Sequence, residues 1–238
     1  MDNTGYTTLT RQSGLMREMR VIANNIANSA TTGFRQEGVI FSEYVAPARN
    51  AESLSMALGN VRNTSLEQGT LTSTGGRFDF AIEGDGFFML ETPAGERLTR
   101  AGSFTPNAES ELVSPQGHRV LDAGGAPIFI PPDATDLSVG ADGTISAGGR
   151  ALGQIGIMQA AEGTQLVRED GVMFRAEGDI LPAENASIAQ GFLESSNVNP
   201  IGQVARMIEV QRAYELGQNF AETENERMKS ALQTFFKR

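Results

Sequence analysis

The chain has no cysteine among its 238 residues, so disulfides and thiol chemistry are excluded. It has a single histidine, His118, in "PQGHRVL". A lone histidine in a turn leading into a strand is the pattern of a structural residue. Ser103 and Ser114 are the serines a Ser-His-Asp site would draw on, and no motif flags either of them. No run of residues is long and apolar enough to span a bilayer as a helix. The start, "MDNTGYTTLT", has neither a basic nor an apolar signal region, so no cleaved secretory signal is expected. Excess positive charge is also lacking. The net charge is −10, which argues against a nucleic-acid partner.

Two further scarcities are local. All nine prolines lie between Pro47 and Pro200, and only Gly217 of the 27 glycines lies beyond Gly202. Proline inside a helix costs about 3 kcal/mol, so both ends are free to be helical and the middle is not. Charge divides the chain in the same way. Residues 1–36 carry four arginines against two acids, and 203–238 carry six basic residues against five acids. The middle holds the whole acidic excess.

That middle reads as short strands: 77–82, 86–92, 96–100, 118–121, 127–131, 136–139, 153–158 and 170–174. Turn pairs such as "DG" and "GG" separate them, the pattern of an all-β barrel or sandwich-like domain. The ends read as two helices. In the C-terminal one, Val204, Met207, Gln211, Tyr214, Gln218, Ala221, Asn225, Met228, Leu232 and Phe235 follow a 3-4 spacing. Its a positions include the polar Gln211, Gln218 and Asn225. The N-terminal helix offers Leu9, Gln12, Met16, Met19, Ala23 and Ile26 at a matching spacing.

The expected fold is therefore α+β: N- and C-terminal helices paired as a coiled-coil-like domain, with an all-β domain inserted between them. The boundaries are 1–40 for the N-terminal helix, 41–75 for a linker region with room for a hairpin, 76–194 for the β domain and 195–238 for the C-terminal helix. A second apolar strip, Val210, Ala213, Gly217 and Phe220 beside Leu216, lies off the heptad seam. A helix that is apolar on several sides wants several partners, so assembly with other subunits is expected.

Three asparagines, Asn24, Asn25 and Asn28, fall close together in "VIANNIANSATTGFR" although asparagine is a poor helix former. On the seam above they fall at b, c and f, away from the paired helix, as one amide patch. Short amides suit a close contact between subunits. Gly33 is placed to end the helix in a left-handed conformation, with Phe34 as an apolar anchor. The predicted assembly contacts are Asn24, Asn25, Asn28, Gly33, Phe34, Gln211, Tyr214, Gln218, Phe220 and Asn225. No catalytic, cofactor or metal residue is predicted. "GDGFFM" lacks the third glycine of a dinucleotide loop. The aspartates of "DATDLSVGADG" lack calcium-loop spacing and read as turn residues.

Three blocks carry a resemblance. "ANNIANSATTGFR" (23–35) resembles the N-terminal signature of the bacterial flagellar axial proteins of rod and hook, with Ile26 and Arg35 as mild departures. "SSNVNPIGQVARMIEVQRAYE" (195–215) is similar to their C-terminal signature, and the stretch 74–121 to their middle domain. The resemblance runs in order over nearly the whole chain. It implies a structural axial subunit, nearest a proximal-rod member, with a distal-rod member as the alternative. The implied partners are other copies of the chain, neighbouring rod proteins and the flagellar type III export apparatus. The implied location is the rod in the periplasmic space, reached without a cleaved signal and without membrane insertion. From the residues alone, an oligomerising extracytoplasmic binding or adhesive module remains the other reading.

Overall fold

The computed structural model describes residues 3–46, 54–134 and 136–236. Two helices and eighteen strands lie among them. Contacts divide the chain into two units. One comprises 1–29, 36–65 and 198–238, and the other 30–35 and 66–197.

The first unit holds α1 (Asn3–Ala27), β1 (Glu37–Ala46), β2 (Leu54–Thr64) and α2 (Pro200–Phe236). β1 and β2 form an antiparallel hairpin running from Glu37 opposite Thr64 to Ala46 opposite Leu54, with a register shift at Ile40/Phe41. Most of the stretch read as linker is thus paired strand; its residues 47–53 lie outside the described residues. α2 starts at Pro200, five residues after the expected boundary at 195. Pro200 occupies the first helical position, where its missing N–H costs nothing. The Oδ1 of Asn199 accepts the N–H of Gly202 at 3.1 Å as the N-cap.

The helices run antiparallel. Asn25 meets Gln203 at 3.2 Å, Glu18 meets Arg206 at 2.7 Å, and Gly217 lies against Gln12. At about 1.5 Å per residue, α1 is about 37 Å long and α2 about 55 Å. The end of α2 therefore outruns its partner.

This corrects the expected fold class. The chain is mostly β with two flanking helices, and the helices form no coiled coil. Among the described side-chain positions of α1, Gly14, Glu18, Val21, Ile22 and Asn25 are buried, and the expected seam residues Leu9 and Ala23 are exposed. On α2, Val210 is buried, whereas Val204, Gln211, Gln218, Asn225, Met228 and Leu232 are exposed. The cause is twofold. α1 packs on the β1–β2 hairpin as well as on α2, so its inward face is not a two-helix seam. Two of its buried positions are also polar, Glu18 and Asn25, each held by a hydrogen-bonding partner. A hydrophobic repeat cannot register them.

The second unit is built of antiparallel strands. In chain order they are β3 (Leu71–Ser73), β4 (Phe80–Glu83), β5 (Phe87–Thr92), β6 (Gly95–Thr99), β7 (Thr105–Pro106), β8 (Leu112–Val113), β9 (Arg119–Val120), β10 (Leu137–Val139), β11 (Thr144–Ala147), β12 (Arg150–Gln154), β13 (Ile157–Ala160), β14 (Gln165–Glu169), β15 (Met173–Glu177), β16 (Ile180–Pro182), β17 (Ser187–Gln190) and β18 (Phe192–Glu194). The main sheet runs β14-β15-β6-β5-β9-β8-β7, with β13 joining β5 and β16. A three-stranded sheet β10-β11-β12 and the pairs β4–β17 and β3–β18 complete it.

β5 organises the interior. "FFML" is buried on both faces, so alternate side chains feed different cores. Phe88 and Leu90 join Phe80, Ile82, Phe104, Leu112, Ile145, Ile155 and Ile188, and Phe88 meets Phe104 edge-on at 5.3 Å. Phe87 and Met89 join Leu98, Leu121, Met158 and Phe174, and Phe87 meets Phe174 edge-on at 5.7 Å.

Candidate assembly surfaces

The signature segment around residues 23–35 is divided between the two units, and its asparagines do different work. Asn25 is only 1% exposed. Its Nδ2 donates to the carbonyl of Glu37 at 2.7 Å and to Oε1 of Gln203 at 3.2 Å. Its Oδ1 accepts the N–H of Glu37 at 3.0 Å. One amide thus binds the first residue of β1 through both backbone groups and ties α1 to α2. Asn25 is therefore internal, and the three asparagines do not form a single outward patch. Asn24 is exposed. Asn28 is half-buried, and its Nδ2 donates to the carbonyl of Asn24 at 2.9 Å, extending the last turn of α1.

Gly33 and Phe34 are also internal, in the second unit. α1 ends at Ala27, so Gly33 is not its C-terminal cap. Gly33 has φ +70°, and its N–H donates to the carbonyl of Glu194 at 2.8 Å. A Cβ there would sit 2.2 Å from the backbone nitrogen of Ala101. Phe34 is 1% exposed. The Arg168 guanidinium lies between two rings, 4.4 Å from the centroid of Phe34 and 4.8 Å from that of Phe174. Arg168 also donates to the carbonyl of Arg35.

Beside Phe34 lies a feature that sequence reasoning missed. Glu194 is buried between two buried arginines, with Oε1 2.8 Å from Arg35 and Oε2 2.7 Å from Arg100. Its Oε1 also accepts the N–H of Gly69 at 2.8 Å. Arg100 also donates to the carbonyls of Gly84, Gly86 and Ile82. Burial pushes the Arg35 guanidinium down to about 10, against the attraction of Glu194. The cluster fastens the segment after α1 to the strand β18 that leads toward α2. The only sequence signal is a charge at the end of each of three otherwise unrelated motifs, "GFR", "LTR" and "FLE".

The remaining predicted contacts lie on α2. Gln211, Gln218 and Asn225 are exposed, Tyr214 is half-buried, and Phe220 is 48% exposed. Gln218 Nε2 donates to the Tyr214 hydroxyl at 3.3 Å. A groove of about 490 Å³ is lined by residues of both helices, among them Gln12, Leu15, Leu216, Gly217 and Phe220. Ile201, Leu216, Met228 and Leu232 are also largely exposed.

Two of the residues weighed for chemistry serve local turns. Ser114 is buried, and its Oγ accepts the backbone N–H of His118 at 3.2 Å. Asp142 accepts the Thr144 N–H at 3.0 Å and the Thr144 hydroxyl at 2.7 Å, which lowers its pKa. Among the described residues there is no cluster of side chains that could hold a metal ion, and no helix is long and apolar enough to cross a membrane.

A β unit with a closed interior, joined to helices that carry exposed apolar and charged faces, defines a structural subunit made for association. Comparison with known proteins gives the family. Residues 3–35 match the family described as flagella basal body rod protein. Residues 81–147 match the flagellar hook protein FlgE/F/G D1 domain, and 189–234 the flagellar basal body rod FlgEFG protein C-terminal region. The chain is 39% identical to the flagellar basal-body rod protein FlgF of Caulobacter vibrioides, over 98% of each chain. It is 41% identical to FlgF of Mesorhizobium japonicum over 90% of each. FlgG of Bacillus subtilis is 32% identical over 93% of this chain and 94% of its own. The chain belongs to the flagellar basal-body rod proteins and is a structural subunit of the rod.

Proposed function

We propose that the chain is a proximal-rod subunit of the FlgF type that assembles with copies of itself and with neighbouring rod proteins through its helical ends. The single observation that carries the position in the rod is the identity to FlgF proteins along almost the whole chain. The helical ends are assigned to assembly because exposed apolar side chains concentrate on α2: Ile201, Val204, Ile208, Leu216, Phe220, Met228 and Leu232. Met228 and Leu232 lie where α2 has outrun α1. Their burial requires another chain.

In this reading the subunit passes through the flagellar type III export apparatus, joins the rod in the periplasmic space and helps transmit torque to the hook. Torque is carried by many side-by-side contacts, with no catalytic step and no cofactor. The β unit, residues 76–194 by the sequence boundaries, holds most of the acidic charge and takes the solvated position.

The test is to label the chain and locate the label in isolated basal bodies by electron cryomicroscopy. Density in the membrane-proximal part of the rod is expected. Density in the outer part would instead support the distal FlgG type, the reading favoured by the similarity to FlgG of Bacillus subtilis.

A further inference from the structure

The first unit carries two exposed stripes that match each other and cannot meet within one chain. On α1, Arg17, Arg20 and Asn24 follow one another at three- and four-residue steps and so share an exposed face, and the half-buried Asn28, in the turn just after the helix, continues that line. That face is separate from the buried one formed by Gly14, Glu18, Val21, Ile22 and Asn25. The one acid between Thr8 and Ala27, Glu18, is buried on Arg206, so the outward charge of that stretch is entirely positive. On α2, Gln211, Glu215, Gln218, Glu222 and Glu226 lie on one face, and all are exposed. Among the described residues, Glu215, Glu222, Glu226 and Arg20 make no ion pair, whereas Glu209 and Glu224 pair with Arg206 and Arg227.

We propose that the α1 stripe docks on the α2 stripe of a second copy of this chain. The inference rests on the reading of the chain as a rod subunit, and it names the contact. A contact between two different faces, repeated from copy to copy, gives every copy the same polarity. α1 of one copy and α2 of the next are then antiparallel, as they are within the subunit. In that orientation Arg17 faces Glu226, Arg20 faces Glu222, Asn24 faces Gln218 and Asn28 faces Glu215. The steps agree on both sides: three, four and four residues along α1, and four, four and three along α2. Charge opposes charge at one end and amide opposes amide in the middle. A copy turned the other way would set these pairs out of register.

The absence of cysteine makes the contact directly testable in the full-length chain. Two variants, Arg20→Cys and Glu222→Cys, are purified separately, mixed at the concentration where the native chain self-associates, and oxidised mildly. Crosslinked dimers are expected in the mixture and absent from either variant alone. A dimer of one variant with itself would mean a contact between like faces and would overturn the proposal. No crosslink in the mixture, while sedimentation shows normal association, would overturn it too and leave the rod reading intact. As a second measurement, Arg20→Glu and Glu222→Arg should each weaken self-association about tenfold, and their combination should restore it. Loss in the single variants without recovery in the pair would also overturn the proposal. The rod reading itself fails separately, if the native chain does not restore swimming to a strain lacking it.

Discussion

The carboxylate of Glu194 and the guanidinium of Arg100 meet at 2.7 Å with both side chains about 1% exposed. A second buried arginine, Arg35, sits on the other carboxylate oxygen. One negative charge thus lies between two positive ones that come from separate parts of the chain. Removing one member of a buried ion pair leaves the other uncompensated, a cost of about 3–5 kcal/mol. Glu194→Ala should therefore lower the unfolding free energy of the second unit by at least that range. Glu194→Gln, which keeps the hydrogen-bonding shape, should cost less. Urea unfolding followed by circular dichroism in the β region measures both, and a stable Glu194→Ala protein would show the cluster to be dispensable.

The asparagines separate folding from assembly. Asn25→Ala strips hydrogen bonds from both backbone groups of Glu37 and from Gln203. Buried groups left unsatisfied cost about 1–3 kcal/mol each, so the first unit should lose helicity and become sensitive to proteolysis. Asn24→Ala is at an exposed position and should change stability by about 0.5 kcal/mol or less. If it nevertheless impairs swimming, the outer face of α1 is used in the rod.

Gly33→Ala tests the backbone. The φ of +70° disfavours any Cβ, and that Cβ would fall 2.2 Å from the Ala101 nitrogen. Left-handed strain costs about 1–3 kcal/mol, and relieving the overlap requires the backbone to move. The variant should express poorly or unfold at markedly lower urea. A native-like midpoint would mean that this segment shifts freely.

Much of the β unit was legible because its strands announce themselves by alternation and glycine turns. "GFFMLET" is β5 extended by one residue, and "DLSV" is β10 with one extra. The stretch 127–131 is less regular than its apolar pattern suggests and makes only isolated bridges, at Pro127 and Phe129. "GQIGIM" is two strands broken at Ile155–Gly156. The helices were legible in position and not in register, because Glu18 and Asn25 occupy buried sites through specific partners. Those partners, Arg206 and Glu37, are 188 and 12 residues away. The Arg35–Glu194–Arg100 cluster was illegible for the same reason: pairing across the chain leaves no local pattern.

Acid should weaken the second unit through Glu169 and Asp142. Hydrogen bonds from Arg175 and Arg97 hold Glu169 below its ordinary value of 4.5. The Thr144 hydroxyl and N–H hold Asp142 below 3.8. A depressed folded pKa means that the unfolded chain binds protons first as pH falls. The stability these groups contribute is complete above pH 4.5 and is lost as pH drops through their folded values. Thermal midpoints below pH 4.5 should fall less steeply in Glu169→Gln and Asp142→Asn than in the native chain.

The last prediction concerns which residues complete the β unit. The fragment 66–197 contains all its strands, and a contiguous core with acidic charge should fold as a soluble, cooperative monomer. It lacks Phe34 and Arg35, however, which belong to the same unit. Without Phe34, the Arg168 guanidinium loses one of its two stacking rings, and burial worth about 1.5–3 kcal/mol is gone. Without Arg35, Glu194 keeps only Arg100. The fragment should therefore unfold at lower urea than the same unit in the full chain. A peptide spanning residues 30–35, added in excess, should raise the midpoint by mass action, and the same peptide with Phe34→Ala should not. A fragment as stable as the intact chain would show that the segment after α1 rests on the β unit without holding it.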